Sequence, residues 1–152
     1  IPVVAAGGIA DGRGLAAALA LGAQGVQMGT RFICSQECIA HQRFKEKIVD
    51  AGDRSTVVTG RTTGFAVRSL ENRMTQQFLA LEKAGATKEE LDWFGRGRTY
   101  LGLVQGDVDD GWLLSGQSAG LIKEIKPVKA IIDEMIAEAE AIITTIGERM
   151  SR

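Results

Sequence analysis

Ile1-Pro2-Val3-Val4-Ala5-Ala6-Gly7-Gly8-Ile9-Ala10-Asp11-Gly12-Arg13-Gly14 opens the chain, and Leu21-Gly22-Ala23 and Gly25-Val26-Gln27-Met28-Gly29-Thr30-Arg31-Phe32 follow shortly after. Ile1 to Ala6 is a continuous apolar run that stops at Gly7-Gly8, as a strand buried on both faces of a parallel sheet would read. Asp11 to Leu21 is alanine-rich, with Leu15 and Leu19 four apart, and Gly22 supplies a C-terminal stop. Gly25 to Gly29 gives a second short strand. Strand, helix and strand within about 30 residues form the β-α-β unit of a parallel α/β fold. Both strands then end at the same edge of the sheet in small-residue turns, Gly7-Gly8 and Gly29-Thr30. Turns that lack β-carbons let a bulky anion reach backbone N–H groups, and the Thr30 hydroxyl adds a donor. A tight strand-to-helix connection is the plainer use of the same glycines.

Composition sets the outer bounds. Lys+Arg 18 against Asp+Glu 19 gives a formal net charge of -1 over 152 residues, which argues against a nucleic-acid partner. At 45% hydrophobic and 24% charged, the chain is globular rather than disordered. No apolar run reaches about 18 residues and no signal peptide opens the chain, so no membrane partner and a cytoplasmic location are expected. Two cysteines, Cys34 and Cys38, are too few for a disulfide framework. The chain opens inside an apolar run and its first methionine is Met28, which reads as a piece of a longer protein.

Further along, Gln36 to Ala51 predicts a helix, with His41 inside it, and Val57-Val58 a short strand. Leu70, Met74, Phe78 and Leu81 fall at helical spacing, and Gly85 stops them. Thr87-Lys88-Glu89-Glu90 fits a capping box. Gly95 to Gly120 is glycine-punctuated and poorly periodic. Val128, Ile131, Ile132, Met135, Ile136, Ala139, Ile142, Ile143 and Ile146 trace one face of a terminal helix, with Pro127 at its first position. The expected division is an α/β part, residues 1–52, and a mostly helical part, residues 53–152.

The opening motifs together resemble the last two β/α units of the superfamily of FMN-dependent nitronate monooxygenases and enoyl-acyl-carrier-protein reductases II. Thr59-Gly60-Arg61-Thr62-Thr63-Gly64, Ala66-Val67-Arg68, Gly106-Asp107-Val108-Asp109 and Ser115-Gly116-Gln117-Ser118-Ala119-Gly120 resemble the C-terminal segment of the reductase II branch. The resemblance implies a fold: the C-terminal fragment of an FMN-binding (β/α)8 TIM barrel, followed by a mostly helical cap over the barrel mouth. Such barrels carry a recurring phosphate site in the loops after strands 7 and 8. By resemblance, Gly7, Gly8, Gly29 and Thr30 hold the FMN phosphate, with Gln27 and Met28 beside it. It also implies reduction of an enoyl thioester, carried on acyl carrier protein or as a small molecule, with NADH or NADPH as electron donor. A homodimer is a candidate assembly of the parent.

Oxidation of alkyl nitronates by oxygen on the same barrel is the near alternative, and a noncatalytic half-barrel that binds a phosphate-bearing ligand is the alternative of another class. The family's flavin-side histidine has no counterpart in this chain, so no catalytic residue is named and these 152 residues alone are expected to be inactive. Phe65 stands where some members carry histidine, a change of polarity.

Three further patterns carry weaker readings. Gly116-Gln117-Ser118-Ala119-Gly120 matches a nucleophile elbow, but His41, the one histidine, precedes the serine, against the order of such triads. Two glycines four apart on a closely packed helix explain the pattern better. Cys34, Cys38 and His41 would line one helix face, yet no second ligand pair exists for a structural metal, so buried reduced cysteines are expected. Asp107-Val108-Asp109-Asp110-Gly111 reads as an acidic turn capping the next helix. Arg96 and Arg98 are candidates for contact with a phosphate or an acidic carrier protein.

Overall fold

A computed structural model of the chain describes residues 1–151. Strand β1 (Val4–Ala6) and strand β2 (Gly25–Gln27) lie parallel, with Val4 opposite Gly25, Ala5 opposite Val26 and Ala6 opposite Gln27. Helix α1 (Gly12–Ala20) connects them; the Asp11 carboxylate caps it by accepting from Gly14 N–H at 3.1 Å, and Gly22 leaves it at φ +94°. The expected β-α-β unit is present. Burial on both faces is not: Val3 and Val4 are 60% and 56% exposed. Among the described residues β1 pairs with β2 alone, so one edge and much of its surface face solvent.

A four-residue helix, α2 (Thr30–Ile33), follows β2, and α3 (Gln42–Val49) comes eight residues later. The helix expected over Gln36 to Ala51 therefore starts late. Ser35 is drawn into a bridge with Lys126, and the Lys45 ammonium, buried, donates to the carbonyls of Ser35 (2.6 Å) and Cys38 (2.8 Å). Those long-range bonds hold 34–41 as a loop. His41 is not inside a helix but caps one, with Nδ1 accepting from Arg43 N–H at 3.2 Å. Cys34, Cys38 and His41 thus share no helix face. Cys34 alone is fully buried, donating to Lys45 O at 3.6 Å.

Beyond residue 52 the chain is mostly helical but contains an antiparallel hairpin, β3 (Thr56–Thr59) and β4 (Val67–Leu70). Leu70 ends β4 instead of opening the next helix, α4 (Arg73–Lys83), which a capping box between Asn72 and Thr75 starts. The expected box at Thr87 and Glu90 starts α5 (Lys88–Gly95). A short α6 (Arg98–Leu103) falls in the stretch that lacked periodicity, and Gln117–Leu121 is a 3-10 turn. The acidic turn serves not the helix that follows it but α4: the Asp109 carbonyl accepts from Met74 N–H at 3.0 Å in the first turn of α4 and the Asp110 carboxylate pairs with Arg73, while Asp107 accepts from the N–H groups of Asp109 and Asp110. Pro127 is the N-cap of α7 (Val128–Met150), one position before its first turn, where its φ of -58° and ψ of 145° are extended.

One core joins Cys34, Phe44 and Ile48 to Leu70, Leu113, Ala119 and Ile122, and so runs across the boundary expected at residue 52. A smaller cluster holds Met74, Phe78 and Leu91. Helix α7 packs back on α1, with Met135, Glu138 and Ala139 against Gly12. Ile132, Ile136, Ile143 and Ile146 stay partly exposed, so the covered stripe is narrower than the apolar one. Among the described residues no helix is long and apolar enough to cross a membrane.

Candidate functional site

Parallel pairing puts the residues after Ala6 and after Gln27 at one edge, so Gly7-Gly8 and Met28-Gly29-Thr30 lie side by side. Gly7 and Gly8 take φ of +86° and +75°, a region costly for any residue with a β-carbon. Gly29 is different: its φ of -96° suits any residue. A β-carbon placed at Gly7, Gly8 or Gly29 would meet nothing within 4 Å. Neither backbone nor packing in this chain calls for glycine at 29, and its effect is open space beside the turn.

Thr30 closes that space from below. It is buried, and its Oγ1 accepts from Gly116 N–H at 2.8 Å, which leaves the hydroxyl proton free to donate. The N–H groups of Thr30 and Arg31 come before the first hydrogen bond of α2, Phe32 N–H to Gly29 O at 3.0 Å, and have no acceptor inside the helix. Met28 is half-buried beside them and Gln27 is exposed at the end of β2. Arg31, buried, turns away to donate to Glu124 O at 2.9 Å.

None of the six residues is acidic. Asp11, the nearest carboxylate in sequence, is occupied by Arg13 and Gly14 N–H; burial pushes its pKa up, but those hydrogen bonds outweigh it and hold the group below its ordinary value. Backbone amides, one hydroxyl and room for a bulky group make a donor set that fits phosphoryl oxygens.

One partner of this site, Gly116, and one of the β3–β4 hairpin, Glu82, lack a local signal in the sequence. Gly116 lies 86 residues from Thr30. It ends a segment that runs along β4, with Leu70 N–H donating to Leu113 O at 2.9 Å and Ser115 N–H to Arg68 O at 3.2 Å. Glu82 of α4 clamps the hairpin tip, accepting from Gly60 N–H and Thr62 N–H, each at 3.1 Å, and from the Thr62 hydroxyl at 2.8 Å. Burial acts to raise the Glu82 pKa, but the bonds from Thr62 and Gly60 prevail and lower it. The clamped tip presents Phe65, 76% exposed.

The remaining motifs resolve as structure. Ser118 sits on the 3-10 turn, not on a strand-to-helix elbow, and a β-carbon at Gly120 would come within 3.0 Å of the Gly52 backbone. His41 packs its ring against Gly106. Arg98 stacks on Phe94 at 4.9 Å and donates to Asp110 O at 3.1 Å. The Arg96 guanidinium lies over the Trp93 ring at 5.1 Å, with no side-chain hydrogen bond or ion pair among the described residues.

Residues 1–138 match the family described as nitronate monooxygenase. Among solved structures, FabK from Thermotoga maritima superposes with a TM-score of 0.93 at 45% identity, covering 98% of this chain and 47% of that one. A probable nitronate monooxygenase of Staphylococcus saprophyticus is 37% identical across 94% of this chain and 40% of its own length. A (3aS,4S,5R,7aS)-5-hydroxy-7a-methyl-1-oxo-octahydro-1H-indene-4-carboxyl-CoA dehydrogenase of Mycobacterium tuberculosis is 32% identical across 91% of this chain and 50% of its own. The chain thus spans about half the length, or less, of the curated relatives it matches.

Proposed function

The chain belongs to the nitronate monooxygenase family, and on that premise we propose that it supplies the phosphate-holding turns and the cap of an FMN-dependent oxidoreductase, an enoyl-acyl-carrier-protein reductase of type II. Its α/β part is then a portion of the TIM barrel that carries the flavin. The observation that carries the reductase reading is the likeness to FabK, at 45% identity over nearly the whole chain. The dehydrogenase of M. tuberculosis, whose name contains carboxyl-CoA, adds a relative named for a thioester.

In this reading Gly7 and Gly8 bring bare backbone to the phosphate. Thr30 donates its hydroxyl proton to a phosphoryl oxygen while its oxygen stays fixed by Gly116 N–H. Gln27 and Met28 flank the group, and Gly29 leaves its path open. When bound, FMN supplies hydride transfer between NADH or NADPH and the enoyl β-carbon. The protein's own part is to bind, orient and exclude water.

Oxidation of nitronates by oxygen is the second reading, favoured by the relative of S. saprophyticus. The full-length protein, loaded with FMN, separates the two. NADH oxidation that requires a crotonyl thioester is expected. Oxygen uptake with a propyl nitronate and no nicotinamide would assign the site to the second reading. FMN retention without either reaction would leave a binding protein.

A further inference from the structure

A cavity of about 350 Å³ lies beneath the hairpin tip, walled by Phe65, Val67, Leu91, Trp112 and Leu114. Glycine makes room for one wall: a β-carbon at Gly95 would meet the Trp112 indole at 2.7 Å. The indole rests against Phe78 at 5.3 Å between centroids, so this wall is braced from behind.

Two residues of chain link the cavity to the glycine turns. Leu114 lines it, and two residues on, Gly116 N–H holds Thr30 Oγ1. Two residues of extended chain span about 7 Å. The exposed rim bears Asp92 and Arg96, opposite charges one helical turn apart, which favours an uncharged chain over a free carboxylate.

We propose that this cavity receives the acyl chain of the thioester substrate, with Phe65, Leu114 and Trp112 setting the accepted length. The inference rests on the reductase reading for the identity of its ligand. An acyl tail in the cavity keeps its thioester carbonyl on the side of Leu114 that leads to Thr30. Phe65 gives this wall an apolar face, as an alkyl chain requires.

The test is calorimetric binding of decanoyl pantetheine and butyryl pantetheine to the full-length protein loaded with FMN. Decanoyl pantetheine is expected to bind at least about tenfold tighter, the discrimination a hydrophobic pocket achieves for added methylenes. Thr99→Trp, which fills the cavity from its exposed rim, should abolish that preference. Phe65→Ala, which removes a wall at an exposed position and provides the readout if Thr99→Trp does not fold, should weaken it. Equal affinities in the unsubstituted protein, or a preference that survives either folded variant undiminished, would overturn the proposal. The reductase reading stands or falls separately on thioester-dependent NADH oxidation, which these binding data do not use.

Discussion

The two strand pairs of this molecule invert the usual link between apolar content and burial. β1 and β2 read Val-Ala-Ala and Gly-Val-Gln, yet Val4 is more than half exposed. β3 and β4 read Thr-Val-Val-Thr and Val-Arg-Ser-Leu, yet Thr59, Ser69 and Leu70 are buried. The difference lies in what faces each pair. The hairpin has α4 packed on it and the 113–115 segment along its second edge. Among the described residues, which span about half the length of the relatives or less, the parallel pair has α1 and no further strand beside it. Burial is thus conferred by neighbours, and the hairpin is secure enough to tolerate Thr59 and Ser69 hydroxyls without partners among the described residues.

Phe44→Ala attacks the enclosed side of this contrast, where Phe44 fills the core beside Ile48 and Leu113. It should cost about 3–5 kcal/mol in urea denaturation of the 152-residue chain, whereas Val4→Ala should stay within about 0.5 kcal/mol. A cost at Val4 close to that at Phe44 would break the comparison. Thr30→Val comes next. It removes the acceptor for Gly116 N–H and the proposed phosphate donor, so flavin fluorescence titration of the full-length protein should show FMN affinity down about tenfold.

A pH-dependent effect on the enclosed side concerns Cys34, whose burial pushes its pKa up to about 11. The fold favours the neutral thiol, so this contribution to stability is complete below the ordinary pKa of 9.0 and fades as pH rises from there toward about 11. Denaturation midpoints that do not fall over that window in the unsubstituted chain, relative to Cys34→Ala, would contradict it. Alkylation at pH 8 should accordingly spare Cys34 until urea is added.

Local chemistry made much of this legible. Asp11 and Gly22 bracket α1, and Thr87 with Glu90 starts α5, because caps are read within four residues. The paired turns at Gly7-Gly8 and Gly29-Thr30 follow from two strand ends and a parallel register. What escaped depends on distant partners. No periodicity reveals that Ser35 pairs with Lys126, so the loop before α3 reads as helix. β4 is hidden because Leu70 fits the spacing of Met74 and Phe78, while its true neighbour is Leu113. Gly116 beneath Thr30 and Glu82 beneath the hairpin tip are contacts of the same kind.

Gly12 is where the first helix meets the last: its N–H donates to Glu138 Oε2 at 2.7 Å across 126 residues, and a β-carbon there would strike Glu138 and the α7 backbone. During synthesis, then, α1 must wait for more than a hundred further residues before α7 can cover it. An unsealed helix held through that interval is exposed to premature association. Ribosome-bound chains stopped before residue 139 should therefore leave α1 open to protease, and those released past it should not.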